Sequence, residues 1–215
     1  MDSKKQLILI REWASKMNEV NKYFDIVSNE IQEFIMSVNY DALQKAKECI
    51  LESEAKGGRI HITGIGKPSY VAGYIASLFS STGIKAYTLN GTEAVHGSAG
   101  QVAEGDVVIA ISNSGETIEL RATVETLINN HAKIISVTGN PNSWLAKSSH
   151  VSLVAGVKQE GDSLNKPPRA SIIAEILILQ ALSVMLQEEK NLTPSQYVKW
   201  HPGGALGASI QKEEE

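Results

Sequence analysis

The sequence predicts an α/β fold of about five parallel β-strands with helices on both faces, preceded by a helical N-terminal segment. Three observations predict it. Short β-branched runs alternate with helical patterns from residue 59 onward, the mark of β-α-β units. Val107-Val108-Ile109-Ala110-Ile111 is a nearly unbroken apolar run, as expected of a strand buried on both faces. Three polar, glycine-containing loops each follow a strand pattern and open a helical one.

The first 57 residues read as helix. Val20, Tyr23, Phe24, Val27, Ile31, Phe34 and Ile35 recur at helical spacing, and neither proline nor glycine occurs before Gly57. A second helix is expected over Asp41–Ala55, capped by Asn39 or Asp41 and closed by Gly57-Gly58. Ile60, Ile62 and Ile65 mark the first strand, which stops at Gly64-Ile65-Gly66. A helix follows from Ser69 to about Ser81, where Ala72, Gly73 and Ala76 permit close packing on a sheet. Ala86–Leu89 is the second strand and Val107–Ile111 the third, followed by a helix over Thr117–Asn130. Ile134–Thr138 is the fourth strand, closed by Gly139-Asn140-Pro141, and Val151–Val157 the fifth. A long helix runs from about Pro168 to Glu188. The order corresponds to a flavodoxin-like sheet. Residues 1–57 are expected to pack as a helical segment on a domain over 58–210, with a frayed tail at 211–215.

Composition limits the functions. A chain of 215 residues with 42% hydrophobic and 20% charged residues suits one domain with a sizeable core. A net charge of −4 argues against nucleic acid as a partner, since phosphate backbones require clustered Lys and Arg. The one cysteine, Cys49, excludes an internal disulfide framework and fits a reducing compartment. The longest apolar run, Ile172–Leu186, is interrupted by Glu175, Gln180 and Ser183, so no membrane span is expected. Leu7–Ile10 is too short for a signal sequence. The expected location is the cytoplasm.

In an open parallel sheet, ligands bind beyond the carboxyl ends of the strands. The loop Ser112-Asn113-Ser114-Gly115-Glu116-Thr117 is the sharpest candidate there. A helix N-terminus offers unpaired N–H groups and partial positive charge. Hydroxyls at Ser112, Ser114 and Thr117, with a glycine for close approach, complete a cradle for a phosphate dianion. A plain helix cap needs one hydroxyl rather than three. The loop Gly64-Ile65-Gly66-Lys67-Pro68-Ser69 is not a dinucleotide fingerprint, because Ser69 stands at the third glycine and Leu89-Asn90 lacks the acidic residue. Nor is Gly-Lys-Pro a Walker motif. The third loop is Thr138-Gly139-Asn140-Pro141-Asn142-Ser143.

From about Gly58 to Gly207 the chain resembles the sugar isomerase (SIS) domain family, and within it the D-arabinose 5-phosphate isomerases. The resemblance rests on Gly64-Ile65-Gly66-Lys67, Gly91-Thr92-Glu93-Ala94-Val95-His96-Gly97, Ile109–Glu116 and Trp200-His201-Pro202-Gly203-Gly204-Ala205-Leu206-Gly207. The Ser-x-Ser-Gly-Glu loop marks the superfamily; the His-Pro-Gly-Gly-Ala-Leu-Gly ending is narrower. The resemblance implies reversible isomerisation of D-ribulose 5-phosphate to D-arabinose 5-phosphate, feeding Kdo for lipopolysaccharide or capsule. It implies catalytic positions at Lys67, Glu116, Glu160 and His201, and substrate contacts at Gly66, Ser69, His96, Ser112, Asn113, Ser114 and Thr117. It also implies a homo-oligomer, dimer or tetramer, in which His201 reaches a neighbouring subunit's site.

The residue types suit that chemistry. Moving a proton between C2 and C1 through an enediolate needs a base, a cationic or hydrogen-bonding group at the developing oxyanion, and a proton shuttle. Glu160 or Glu116 would be the base, Lys67 the stabilising cation and His201 the aid to ring opening or proton shuttling. No cofactor and no metal site are expected, because His96 and His201 are far apart and no cysteine cluster accompanies them. His61, His131 and His150 are read as structural residues without suggested partners.

Two features depart from the family pattern. Of Gly161–Ser171, only Leu164, Pro168 and Ser171 match, and Lys166 and Arg169 add positive charge near the sugar phosphate. Pro68 replaces a usual serine, with Ser69 beside it. Many relatives carry a pair of CBS modules after this domain, and the chain is expected to be a one-domain form whose feedback by a downstream pathway sugar acts at the active site or a subunit interface. The competing readings are another sugar-phosphate isomerase, for hexulose phosphate or sedoheptulose 7-phosphate, and a non-catalytic SIS sugar-phosphate sensor. The first is disfavoured by the ending, the second by the lack of a basic DNA-binding module.

Overall fold

The computed structural model describes the backbone of residues 3–203 and the side chains from residue 16 onward. Gly204–Gly207 of the family-like ending and the tail expected to fray lie outside the described residues.

Two helices come first, α1 (Ser3–Ser37) and α2 (Tyr40–Ala55). They separate at Asn39, whose side chain accepts from Ala42 N at 3.0 Å and caps α2 as expected. Five strands follow: β1 (Ile60–Gly64), β2 (Ala86–Thr88), β3 (Val107–Ile111), β4 (Lys133–Thr138) and β5 (Val151–Val154). The helices between and after them are α3 (Lys67–Ser81), α4 (Gly91–Ala94), α5 (Ile118–Asn129), α6 (Trp144–Lys147), α7 (Ala170–Glu189) and α8 (Pro194–Lys199), with a 3-10 turn at Ser98–Gln101. The sheet is parallel throughout and its order is β2-β1-β3-β4-β5.

The sheet is covered on both faces. Ile60, Ile62, Val107, Ile109, Ile111, Ile135, Val137 and Leu153 meet α2, α3 and α7 on one side. Val108, Ala110 and Ile134 meet Leu120, Val124 and Leu127 of α5 on the other. All five residues of β3 are buried, which is why its sequence has no polar alternation. At about 25 cal/mol per Å², such fully buried Val and Ile side chains each contribute roughly 1.5–3 kcal/mol.

Several expectations need correction. β5 ends at Val154 rather than Val157. Gly156 packs against the backbone of Gly139, and Lys158 N then donates to Glu30 Oε2 at 2.7 Å, so the chain turns toward α1 instead of extending the ladder. The short helices α4, α6 and α8 are too brief to show periodicity, although Thr193-Pro194 is a legible start for α8. By length and apolar composition α7 would qualify as a membrane-crossing helix, contrary to the expectation from its interrupted run. Its apolar character is that of a core helix, for Ala174, Ile178, Leu179, Leu182 and Leu186 are buried.

Two histidines expected to lack partners have them. His61 is buried, with Nε2 3.2 Å from Asp106 Oδ2, and burial pushes its pKa down. Asp106 also accepts from Arg59 N and Ala103 N, tying the starts of β1 and β3 together. His150 Nδ1 accepts from Ile134 N at 3.0 Å.

Candidate functional site

The strand order reverses at β1 and β3, the point where an open parallel sheet forms a crevice. Gly64 and Ile111 are register partners, so the loops after these strands start level with each other. One leads to α3 and the other to α5, on opposite faces of the sheet. Gly66 turns the first loop with φ +67, and its carbonyl accepts from Ser69 Oγ at 2.6 Å. Lys67 is the first residue of α3 and is exposed. Pro68 costs the helix nothing there, because a first-turn N–H has no intrahelical acceptor. Beside this loop lies a cavity of about 380 Å³, lined by Gly66, Ser69, Thr88, Asn90 and Thr92 among others.

The loop after β3 is braced from within. Ser112 is buried; its Oγ accepts from Gly115 N at 3.1 Å and lies 3.1 Å from Thr117 Oγ1. Ser112 therefore shapes the loop instead of facing solvent with the other hydroxyls. Ser114 is exposed and accepts from Glu116 N at 3.2 Å. Thr117 occupies the N-cap of α5 but makes no side-chain bond to the helix N–H groups. Those groups stay open to an anion, reinforced by the partial positive charge of a helix start. Asn113 O accepts from Gly139 N and Thr138 Oγ1, so the β4 loop holds this one in place.

Gly115 has φ +67, and a Cβ there would run into Ser143 and Thr138 Oγ1. Gly115→Ala is expected to lower unfolding stability by about 2–4 kcal/mol, through strain plus a buried clash, as read by urea denaturation. A loss below about 0.5 kcal/mol would mean the loop has room to relax. Glu116, expected to be catalytic and also to place its charge in the first turn of the following helix, precedes the N-cap Thr117, and its Oε1 accepts from Trp144 N at 2.8 Å, across to the start of α6.

Glu160 follows β5 and is buried. Its Oε2 accepts from Arg169 N at 2.6 Å and Ser171 N at 3.1 Å, so it caps the start of α7. Oε1 has no protein partner among the described residues. The divergent stretch folds back around Glu160, whose own N–H donates to Asn165 Oδ1 at 2.6 Å. Arg169, expected to add positive charge near the sugar phosphate, is paired with Asp162, which offsets that charge. Lys166 is exposed.

Packing brings Glu160 and Lys67 to the same end of the molecule. α3 and α7 each return across the same face after a parallel strand, so they run in the same direction. Gln180 Nε2 donates to Tyr74 OH at 2.8 Å. Tyr74 lies seven residues into α3 and Gln180 ten into α7, which sets the two helix starts level to within about 5 Å along their axes. His96 follows α4 and is exposed; a hydrogen bond from Thr123 Oγ1 to Gly91 O ties this segment to α5.

His201 is not with the others. Its Nδ1 lies 2.7 Å from Tyr197 O and its ring stacks on Tyr197 at 4.0 Å. The preceding Trp200 packs against Gly83, just after the C-terminus of α3. Since α3 has 15 residues, His201 stands roughly 20 Å from Lys67 in the same chain.

Sequence reasoning noted Glu175 only as an interruption of an apolar run. It is fully buried in α7. Burial, and after it the charge of Glu160, push its pKa up to about 8. An acid at a position whose helical neighbours Ile172, Ala174, Ile178 and Leu179 are apolar was the available signal.

Comparison with known proteins agrees with this architecture. The SIS domain family model matches residues 54–185, and the chain belongs to that family. The arabinose 5-phosphate isomerase KdsD of Francisella tularensis is 34% identical over 92% of this chain and 60% of its own length. That of Pseudomonas aeruginosa is 38% identical over 79% of this chain and 51% of its own. The chain thus spans little more than half the length of these curated relatives. An Escherichia coli CFT073 protein solved in complex with arabinose 5-phosphate superposes with a TM-score of 0.76 at 31% identity, covering 94% of this chain and 100% of that one.

Proposed function

We propose that this SIS-domain chain is a sugar-phosphate isomerase that interconverts D-ribulose 5-phosphate and D-arabinose 5-phosphate through an enediolate. The observation that carries the reading is the open N-terminus of α5, with Ser114 and Thr117, across the switch-point crevice from the level starts of α3 and α7. The KdsD relatives and the structural neighbour bound to arabinose 5-phosphate support the same substrate class.

The phosphate sits on the N–H groups of α5. Lys67 stabilises the enediolate oxygen, where a fixed cation is worth most as charge develops. Glu160 moves the proton between C2 and C1 through its free Oε1, its other oxygen being held by α7. Glu116 is the lesser candidate for base, because its carboxylate is already engaged on Trp144 N. Gly66, Ser69, Asn113 and His96 line the sugar. The reaction takes place in the cytoplasm and supplies Kdo, whose downstream sugars are candidate inhibitors.

His201 completes the site from a neighbouring subunit in a homo-oligomer. Its separation from Lys67 within one chain supports this, as does α1, which exposes Val20, Phe24, Ile35 and Met36 along its length. In a two-fold assembly, remixing inactive Lys67→Ala and His201→Ala proteins is expected to restore roughly a quarter of wild-type turnover. No restoration in a mixture shown to exchange subunits would refute the shared site.

The direct test is incubation with D-ribulose 5-phosphate while following D-arabinose 5-phosphate. Turnover is expected. Tight binding of sugar phosphates without turnover of any pentose, hexulose or heptulose phosphate would sink the isomerase reading in favour of a sensor.

A further inference from the structure

We propose that Glu175 is a positioning residue for this reaction, a proton-bearing partner that leaves Glu160 as the single negative charge at the start of α7. The proposal rests on the reading of Glu160 as the reacting carboxylate.

The geometry is a short line of polar groups inside an apolar helix. Glu175 is fully buried, and neither of its oxygens has a hydrogen-bond partner among the described residues. Ser171 lies one turn earlier on the same face. Its Oγ is likewise buried without a partner, while its N–H donates to Glu160 Oε2 at 3.1 Å. Ser171 thus stands between the two acids, bonded to one and one turn from the other.

An ionised carboxylate without partners in such a place costs far more than a neutral one, so Glu175 keeps its proton. The charge of Glu160 acts in the same direction. The other charged groups around α7 are engaged or distant. On α1, Glu30 accepts from Lys158 N. On α2, Lys47 pairs with Glu189 at the far end of α7. On α3, Lys67 is exposed at the first residue, and Tyr74 bonds Gln180. Among the described residues none of these bonds Glu175.

A purely structural position would be better filled by an apolar residue, because an unpaired buried acid destabilises the fold. What the acid adds is a second carboxyl that keeps its proton close to the first without bonding it. While Glu175 holds its proton it adds no negative charge beside Glu160 and the bound sugar phosphate. When Glu175 ionises, a second charge repels both the phosphate dianion and the enediolate.

The test combines pH profiles with infrared titration of protonated carboxyl groups on the full chain. Wild-type kcat/KM for D-ribulose 5-phosphate is expected to fall about tenfold between pH 7 and pH 9, and the fall in Glu175→Gln to be within about twofold. An alkaline fall that persists unchanged in Glu175→Gln overturns the proposal. The infrared arm does not depend on activity. Glu160→Gln is expected to shift the midpoint of the Glu175 carboxyl band, identified by its loss in Glu175→Gln, to lower pH. An unmoved midpoint overturns the proposal, whereas a moved midpoint in a protein that turns over no sugar phosphate retains the carboxyl pair and removes the isomerase reading alone.

Discussion

Glu160→Gln is expected to lower kcat for pentose phosphate isomerisation by about 10³-fold with little change in KM, since a positioned general base supplies roughly 10²–10⁴-fold. The amide is the informative replacement. Its carbonyl oxygen can still accept from Arg169 N and Ser171 N, so the start of α7 stays capped. What is lost is the ability to take a proton and the favourable charge at a helix start, worth about 0.3–1 kcal/mol of stability. Steady-state kinetics beside a urea melt separate the two effects. A kcat within tenfold of wild type in a folded variant would move the base elsewhere, with Glu116 next in line. Glu160→Ala is less useful, because it uncaps α7 as well.

The second large effect is on stability against pH. Glu175 goes from an ordinary 4.5 to about 8 on folding, mainly through burial and then through the Glu160 charge. Between those values the folded chain holds a proton that the unfolded chain has released. Its contribution is therefore fully present below about pH 4.5 and is lost as pH rises toward 8. The slope approaches 1.36 kcal/mol per pH unit, for a total on the order of 4–5 kcal/mol. Unfolding free energy measured in urea from pH 5 to pH 9 should fall less steeply in Glu175→Gln than in wild type, with the variant gaining on wild type throughout that window. Parallel curves for the two proteins would show that Glu175 ionises in the folded state as it does in water.

Much of this protein is legible from local pattern. β3 and β4 are runs of Val and Ile whose length and bounding turns identify them, and all five strands lie within a few residues of where the pattern puts them. The cap at Asn39 and the helix start at Thr117 are readable because caps depend on residues within one turn. The loops after β1 and β3 are legible for the same reason. Glu160 and His201 emerge only through resemblance, since nothing near either residue in the chain marks it.

Other features follow no local rule. The end of β5 is set by a carboxylate from α1, over a hundred residues earlier in the chain. Glu116 is expected to serve its own helix but binds α6, because the β3 and β4 loops are hydrogen-bonded to each other. Arg169 is expected to add positive charge near the sugar phosphate, and pairing with Asp162 offsets it.

The loop from Ser112 to Thr117 shows the division most clearly. The sequence by itself determined that a hydroxyl- and glycine-bearing loop joins a buried strand to a helix start, because hydrogen-bonding groups, glycine freedom and hydrophobic periodicity act within a few residues. Tertiary structure decided that Ser112 turns inward, that the starts of α3 and α7, with Lys67 and Glu160, lie level, that His201 lies at the other end of α3, and that burial raises the pKa of Glu175. Each depends on strand order and helix packing, which bring distant residues together and exclude water, and it is exclusion of water that turns an ordinary glutamate into a neutral acid.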